Sequence, residues 1–231
     1  MDVQSILEVL GVLIIAFVLG VIIPLTITFT FVKLRGGSEE MYQLGADVKA
    51  GKLTDLLPWG SDSLTELTRE WVGSSTYTES LFGRNDQGAG RVPSVRADSG
   101  WLLAFTMDSK NDGADGRLIA MTSAHKLDLR VAAGVCHASV NGKPLGTLKL
   151  GEPTLFAPDG AQLGSFRVGG QLALRGREAA TLDTRTGCAP ERPSSPTPLI
   201  TNLAPERTPE DEAWALVLAV LQMSWVRPTV S

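Results

Sequence analysis

Hydrophobic and polar positions divide this chain of 231 residues into three parts, of which the first is the most sharply defined. Residues 9–32 are apolar or weakly polar and include no charged side chain. A helix rises about 1.5 Å per residue, so a run of this length crosses a hydrocarbon core of about 30 Å. The pattern predicts a single transmembrane helix within an anchor formed by residues 1–35.

A cleaved signal peptide is the alternative interpretation of this run. Such a peptide has a basic flank, an apolar stretch of about 7–15 residues and small residues at the cleavage site. Here the flank carries Asp2 and Glu8 without any Lys or Arg, and Phe29 and Phe31 occupy the positions where small residues are needed. We therefore favour the membrane anchor.

Small residues within the predicted span are candidates for contact with another helix. Gly11, Ala16 and Gly20 would allow close approach, although their spacing is not GxxxG and ordinary lipid-facing positions explain them equally well. Pro24 predicts a kink, because neighbouring threonine hydroxyls can satisfy a freed carbonyl.

Charges at the ends of the span predict its orientation. Lys33 and Arg35 follow it, whereas only acids precede it, and basic flanks stay in the cytoplasm. The two cysteines, Cys136 and Cys188, have no framework spacing and are interpreted as unpaired thiols of a reducing compartment. The expected localisation is a single-pass membrane protein with its N-terminus outside and its main domain cytoplasmic.

Residues 36–100 are predicted to be a juxtamembrane connector with short amphipathic helices. Met41, Leu44 and Val48 form a narrow apolar stripe at helical spacing, and Gly51 is suited to end that helix. The stretch from residue 83 to residue 100 is polar and rich in glycine, which predicts a loop.

A second helix is predicted from Ser63 to Trp71. Ser63 and Glu66 have the spacing of a capping box, and Leu64, Leu67 and Trp71 fall on one helical face.

An apolar segment precedes this helix and contains Leu56, Leu57 and Trp59. Two interpretations stay open: an element that docks on a membrane interface or a partner, and a helix that simply packs on the main domain. The residues predicted to dock on a membrane or partner are Gly11, Ala16, Gly20, Pro24, Lys33, Arg35, Leu56, Leu57, Trp59, Leu64, Leu67 and Trp71.

Residues 101–231 have a sequence pattern that predicts short strands separated by turns. Leu127, Leu129 and Val131 alternate with charged residues, which is typical of a half-buried strand. Regular spacing of such segments without crossover helices predicts an antiparallel β-barrel.

One hairpin in this domain predicts a cationic face. A loop at residues 169–171 places Phe166, Val168, Leu172 and Leu174 on one side of the hairpin. Three arginines would then share the other side and offer a surface for anionic lipid headgroups, with ordinary solubility as the alternative. These residues are Arg167, Arg175 and Arg177.

The C-terminal part combines a helix start with an unusually apolar run. Thr208, Pro209 and Glu210 form the start, and residues 213–226 are apolar on every side. Fourteen residues span only about 21 Å, too short for a second membrane span. The expected fold class is therefore mainly β: a closed barrel wrapped around this buried C-terminal helix.

Residues 141–150, 156–164 and 211–219 carry a resemblance to a known fold. A β-meander around a hydrophobic C-terminal helix resembles the Tubby-like C-terminal fold, and within it the LURP-one-related and phospholipid-scramblase family. The resemblance covers residues 101–226. It implies a membrane-associated, lipid-binding or scaffolding module rather than a hydrolytic enzyme, although a separate N-terminal anchor is a departure from the scramblases.

Candidate chemistry is sparse. Cys136 and His137 are adjacent, but neighbours on a strand point to opposite faces and do not form a nucleophile pair. The polar loop at residues 108–116 invites a calcium interpretation, with a solvated hairpin tip preferred. No catalytic residue, metal site or cofactor is predicted, and a net charge of −4 argues against nucleic acid as the main partner.

Two functions follow as expectations. The first is a non-catalytic accessory or scaffolding subunit of a larger integral-membrane complex, of the electron-transport or photosynthetic kind. The second is a membrane-tethered phospholipid-binding or scramblase-like module. The expected partners are integral-membrane proteins and membrane lipid.

Overall fold

The computed structural model describes residues 39–80, 83–95, 100–110, 114–167, 169–184 and 198–223, with backbone alone at 76–80 and 83–84. Among these residues, no helix combines the length and the apolar character needed to cross a membrane. The predicted span lies outside the described residues. So do six of its predicted docking residues: Gly11, Ala16, Gly20, Pro24, Lys33 and Arg35.

Three helices and twelve strands make up the described chain. The helices are α1 (Glu39–Ala50), α2 (Ser63–Glu66) and α3 (Pro209–Met223). The strands are β1 (Val72–Ser80), β2 (Gly83–Pro93), β3 (Trp101–Lys110), β4 (Asp115–Met121), β5 (Lys126–Ala132), β6 (Val135–Val140), β7 (Lys143–Lys149), β8 (Thr154–Phe156), β9 (Gln162–Phe166), β10 (Gln171–Leu174), β11 (Arg177–Leu182) and β12 (Ile200–Leu203).

All twelve strands form one antiparallel meander, in which each strand pairs with its neighbours in sequence. The expectation of a mainly β fold is confirmed. The sheet is not closed, however, because the described residues give β1 and β12 no pairing with each other. The prediction of a closed barrel is wrong on this point. The N–H of Leu199 donates to the carbonyl of Leu67 (2.7 Å), so the chain before β1 occupies the place of a closing strand.

Helix α3 lies against the inner face of this sheet. Its side chains are buried at every position from Trp214 to Met223. They share one core with apolar residues of strands β2 to β12. The predicted burial of the helix on all sides is confirmed for these residues. A helix with no polar face is stable only when apolar neighbours surround it, and the curved meander supplies them.

The start of α3 also agrees with its sequence. Thr208 Oγ1 accepts the N–H of Asp211 (3.3 Å), and Asp211 Oδ2 accepts the N–H of Thr208 (2.7 Å). This reciprocal pair satisfies donors that a helix N-terminus otherwise leaves open, and Pro209 occupies the first helical turn without needing one.

Gly146 allows the sheet to approach the helix closely. Its φ of +143° is unfavourable for other residues, and an added Cβ would collide with the carbonyl oxygen of Phe156. That Cβ would also lie 3.1 Å from Cζ2 of Trp214, the largest fully buried side chain.

Strands β1 and β2 were not expected. The polar stretch after residue 83, predicted as a loop, pairs with β1 on one side and with β3 on the other. That prediction is wrong because these strands owe their stability to ladder pairing rather than to an apolar alternation of their own.

The predicted helix from Ser63 to Trp71 is also wrong in length. Helix α2 is a single turn, and Leu67 is already extended at φ −64° and ψ 127°. The capping box is absent, since Ser63 Oγ instead accepts the N–H of Gly60 (2.9 Å). The carbonyl of Leu67 is used by Leu199, which favours extended chain over helix at this point.

The β9–β10 hairpin keeps the predicted inner face but not the predicted loop. Phe166 pairs with Leu172, and both are buried together with Leu174. The connection runs from residue 167 to residue 170, because Gln171 already belongs to β10. Val168 lies outside the described residues.

Candidate functional site

Helix α1 lies on the outer face of the sheet and is fixed there by a second, smaller core. Val48 is fully buried and clusters with Ala104, Ile119 and Met121, and the helix also contacts β2. The apolar stripe predicted for this helix is confirmed. Strand β3 is consequently buried on both faces, since Leu103 and Phe105 belong to the main core.

Polar contacts fix the end of α1. Lys126 Nζ donates to the carbonyl of Lys49 (2.7 Å), one of the carbonyls that a helix C-terminus leaves unpaired. Gly51 adopts φ +71° and donates its N–H to the carbonyl of Val48 (3.2 Å). The predicted stop at Gly51 is therefore confirmed, and the C-terminal end of α1 is held against the sheet.

A groove of about 210 Å³ runs between α1 and strands β2 and β3. It is lined by Gly45 of the helix and by Ala89 and Thr106 of the strands, and a side chain at Gly45 would narrow it. An added Cβ at Gly45 would lie 3.3 Å from Thr106 Oγ1 and 3.8 Å from Cβ of Ala89. The groove could not be predicted from the sequence, because it forms only where α1 packs against β2 and β3.

The segment predicted to dock divides between the core and the surface. Leu64 and Leu67 are only 2% and 0% exposed and contact the protein's own core. Leu56, Leu57, Trp59 and Trp71 are half-buried at its margin.

Each half-buried residue of this segment has an identified contact. Trp71 packs edge-on against Phe105 (5.2 Å between ring centroids), and Trp59 packs edge-on against His125 (5.8 Å). The N–H of Leu57 donates to the carbonyl of Trp101 (2.8 Å). These residues therefore form part of the domain's own packing and expose only their outer edges.

The three arginines of the predicted cationic face do not share one environment. Arg167 is exposed after the end of β9. Arg175 lies in the β10–β11 turn at φ +53° and pairs with Glu210 (2.8 Å).

Arg177 is engaged more deeply than its two neighbours. Its Nη2 donates to Oδ2 of Asp211 (2.6 Å) and its Nη1 donates to the carbonyl of Glu206 (2.9 Å). The carboxylate side chain of Asp211 is only 4% exposed. Two of the three arginines thus hold the start of α3 against the sheet.

Another cationic surface, missed at the level of sequence, lies on the outer face of β4–β6. Arg117 and Arg130 are cross-strand partners, and both contact the carboxylate of Asp128. The hydrogen bond from Arg117 is the main reason that the pKa of Asp128 lies below its usual value. His137 is exposed directly opposite Arg130. The alignment of Arg117, Arg130 and His137 across three strands could have been predicted only from the pairing register of β4, β5 and β6.

The candidate nucleophile and base do not meet. Cys136 is buried and His137 is exposed, as expected for neighbours on β6. Burial raises the pKa of the Cys136 thiol to about 12. His125, half-buried beside Trp59, has its pKa lowered chiefly by desolvation.

Metal-binding groups are not assembled in the described part of the chain, where no three His, Cys, Asp or Glu side chains converge. The loop considered for calcium includes residues 111–113, which lie outside the description.

Thiol alkylation at pH 8 provides a direct check of the Cys136 environment. With Cys188→Ser, we expect almost no labelling of the folded chain and one label per chain in denaturant, because the thiolate is the reactive form. Between pH 9 and about 12 the unfolded thiol ionises while the folded thiol stays protonated, so stability should fall across this interval. Rapid labelling of the folded variant would contradict the burial of Cys136.

Comparisons with known proteins found no match to a family model, to a curated protein or to a solved structure. The function must therefore be argued from the site and its surroundings.

Proposed function

We propose that this chain is a single-pass membrane protein that acts as a non-catalytic accessory or scaffolding subunit of a larger integral-membrane complex. The observation that supports this proposal is the packing of α1 against the outer face of the sheet. Val48 and Met41 are buried beneath the helix, and Lys126 holds its last turn. The first helix after the predicted span is thus part of the folded domain.

The distance from the span to this helix is short. Only residues 36–38 separate Arg35 from the start of α1, and three residues reach at most about 11 Å. A flexible tether would let the domain search the membrane surface, whereas so short a link restrains both its position and its orientation. Restraint of this kind suits a subunit that presents a fixed surface to neighbouring proteins.

The half-buried residues Leu56, Leu57 and Trp59 suit the same role. They follow the C-terminal end of α1, whereas the span would join its N-terminal end, about 18 Å away along twelve residues of helix. The domain can therefore contact a partner at a point distant from its anchor. The proposed partners are integral-membrane proteins, in an electron-transport or photosynthetic assembly, with the domain on the cytoplasmic side.

A phospholipid-binding or scramblase-like module is the second candidate. It is supported by the resemblance to the Tubby-like fold, with which a twelve-stranded meander against a buried C-terminal helix agrees, and by the exposed Arg167. It is weakened by the pairing of Arg175 and Arg177 with acids of α3, which leaves less cationic charge for headgroups.

A flexible insertion tests the subunit proposal. Twelve Gly and Ser residues placed between Gly37 and Ser38 would add a coil with an end-to-end distance of about 20 Å and release the domain from its mount. After mild-detergent extraction, the wild-type chain should co-migrate with a stoichiometric set of membrane proteins, and the variant should lose most of that set.

The matched control carries the same insertion in the exposed turn between Gly151 and Glu152, where a longer loop costs little stability. It should keep its partners. A wild-type chain that travels alone with lipid, or a linker variant that keeps every partner, would contradict the subunit proposal. The first of these results would favour the lipid-binding module.

A further inference from the structure

The two edge strands of the open sheet, β1 and β12, differ in how far other parts of the described chain contact them. Strand β12 has four residues, and the chain at Leu67 and Thr68 lies against its beginning. Strand β1 has nine residues and, within the described residues, pairs with β2 alone. In an antiparallel ladder every second residue of an edge strand directs its N–H and C=O outward, so β1 offers a template for another strand.

Strand β1 also lacks the devices by which proteins block an open edge. Exposed edges are usually interrupted by proline, lysine, an inward charge or a bulge. The sequence of β1 is VGSSTYTES, with no proline and no basic residue, and Glu79 is its one charge. Its register with β2 is continuous from Val72 to Ser80, without a bulge. The edge is therefore regular over its whole length.

We propose that two copies of this chain associate through their β1 strands, paired antiparallel about a two-fold axis that passes beside Thr76. This register uses all nine residues of both strands. It places Val72 opposite Ser80 of the second copy, and Glu79 opposite Gly73. The single charge of the strand thus avoids its own symmetry mate, and Ser and Thr fill most cross-strand pairs, which is favourable.

The position of α1 agrees with this symmetry. A two-fold axis between antiparallel neighbours is perpendicular to the sheet, so the outer face of one copy continues as the outer face of the other. Helix α1 lies on that face and packs chiefly against β2, β3 and β4. Both α1 helices, and the anchors proposed to precede them, would therefore emerge on the same side, as two chains in one membrane require.

A segment of the same chain is the competing occupant of this edge. Residues 185–197 connect β11 to β12, and Pro198, which follows them, bridges to Thr68 shortly before β1. This segment contains Pro190, Pro193 and Pro196, which have no N–H to donate to a ladder. A second β1 strand provides every donor and acceptor, and we infer that it is the better match.

Cysteine cross-linking of the full chain, reconstituted in lipid nanodiscs with an excess of lipid, tests the proposal. In the Cys188→Ser background, Thr76→Cys would place two thiols on cross-strand partners, whose Cα separation of about 4.5–5.5 Å permits a disulfide. Mild oxidation should convert most of the protein to a covalent dimer on a non-reducing gel.

Ser74→Cys is the matched control, on the same strand and the same face. Its symmetry mate would lie four residues away along the strand, about 14 Å, which is beyond disulfide reach. The yield of dimer should be at least tenfold lower. Equal yields at both positions would indicate random collision and would overturn the proposal.

Two further results would also overturn it. A monomer at both positions in solution and under oxidation would exclude the second copy. In a second variant that carries Thr76→Cys and keeps the native Cys188, an intramolecular disulfide between these two residues would show that residues 185–197 cover the edge. The inference concerns strand pairing and not the partner complex, so the linker experiment and this one can fail independently.

Discussion

Replacing Trp214 with alanine should lower the free energy of unfolding by about 3–5 kcal/mol, the range for deleting a large aromatic side chain from a core. Trp214 is 0% exposed and belongs to the main core with the inner faces of the strands. The sheet cannot readily collapse onto the space left by the ring, because Gly146 is already held close to Phe156 and to α3. The cavity should therefore persist, and its full cost should be measured.

Trp214→Phe is the matched comparison. Among the described residues the indole N–H of Trp214 has no hydrogen-bond partner, so phenylalanine removes a buried unsatisfied donor together with part of the ring. We expect a loss of about 1–2 kcal/mol, well below that of alanine. Urea denaturation followed by far-ultraviolet circular dichroism would measure both. An equal loss in the free energy of unfolding for the two variants would contradict the close packing of the sheet around the Trp214 ring.

The elements that could be predicted are those whose information is local. Met41 and Val48 recur at helical spacing, and Leu127 and Leu129 alternate with polar residues, so α1 and β5 are visible in the sequence. The apolar run in α3 also predicts its own burial, because no polar face is present to meet water. In each case the hydrophobic pattern that specifies the element lies within the element itself.

The elements that could not be predicted depend on partners distant in sequence. Strand β2 reads as a polar loop, and it becomes a strand because β1 and β3 supply hydrogen bonds on both sides. Leu67 ends α2 early because its carbonyl accepts a hydrogen bond from Leu199, 132 positions later. The closure of the sheet failed as a prediction for the same reason, since composition contains no information on which chain covers an edge.

The candidate site shows the same division. The amphipathic character of α1 is local, whereas the groove beside it requires Gly45 to approach Thr106, 61 positions later in the chain. Arg175 and Arg177 were predicted to face lipid headgroups, but each pairs with an acid that lies more than thirty residues later, in α3. A face that sequence assigns to lipid can therefore be used within the fold.

Arg177 and Arg175 should differ sharply when each is replaced by leucine, although they are two residues apart and both paired. Loss of Arg177 leaves the carboxylate of Asp211, 4% exposed, without its charged donor at the start of α3. Removal of one partner from a charged hydrogen bond costs about 1.5–3 kcal/mol, and partial exposure of Arg177 places the expected loss near 2 kcal/mol.

Arg175→Leu should cost less than about 1 kcal/mol, because the Arg175–Glu210 pair is largely in solvent and is screened. Urea denaturation of the two variants at low and at high salt would separate the cases, since only the exposed pair should weaken markedly with salt. If both arginines could be replaced without loss of stability, while vesicles containing anionic lipid released the protein, their principal role would be headgroup binding. The pairing with α3 would then be secondary, and the lipid-binding candidate would displace the subunit proposal.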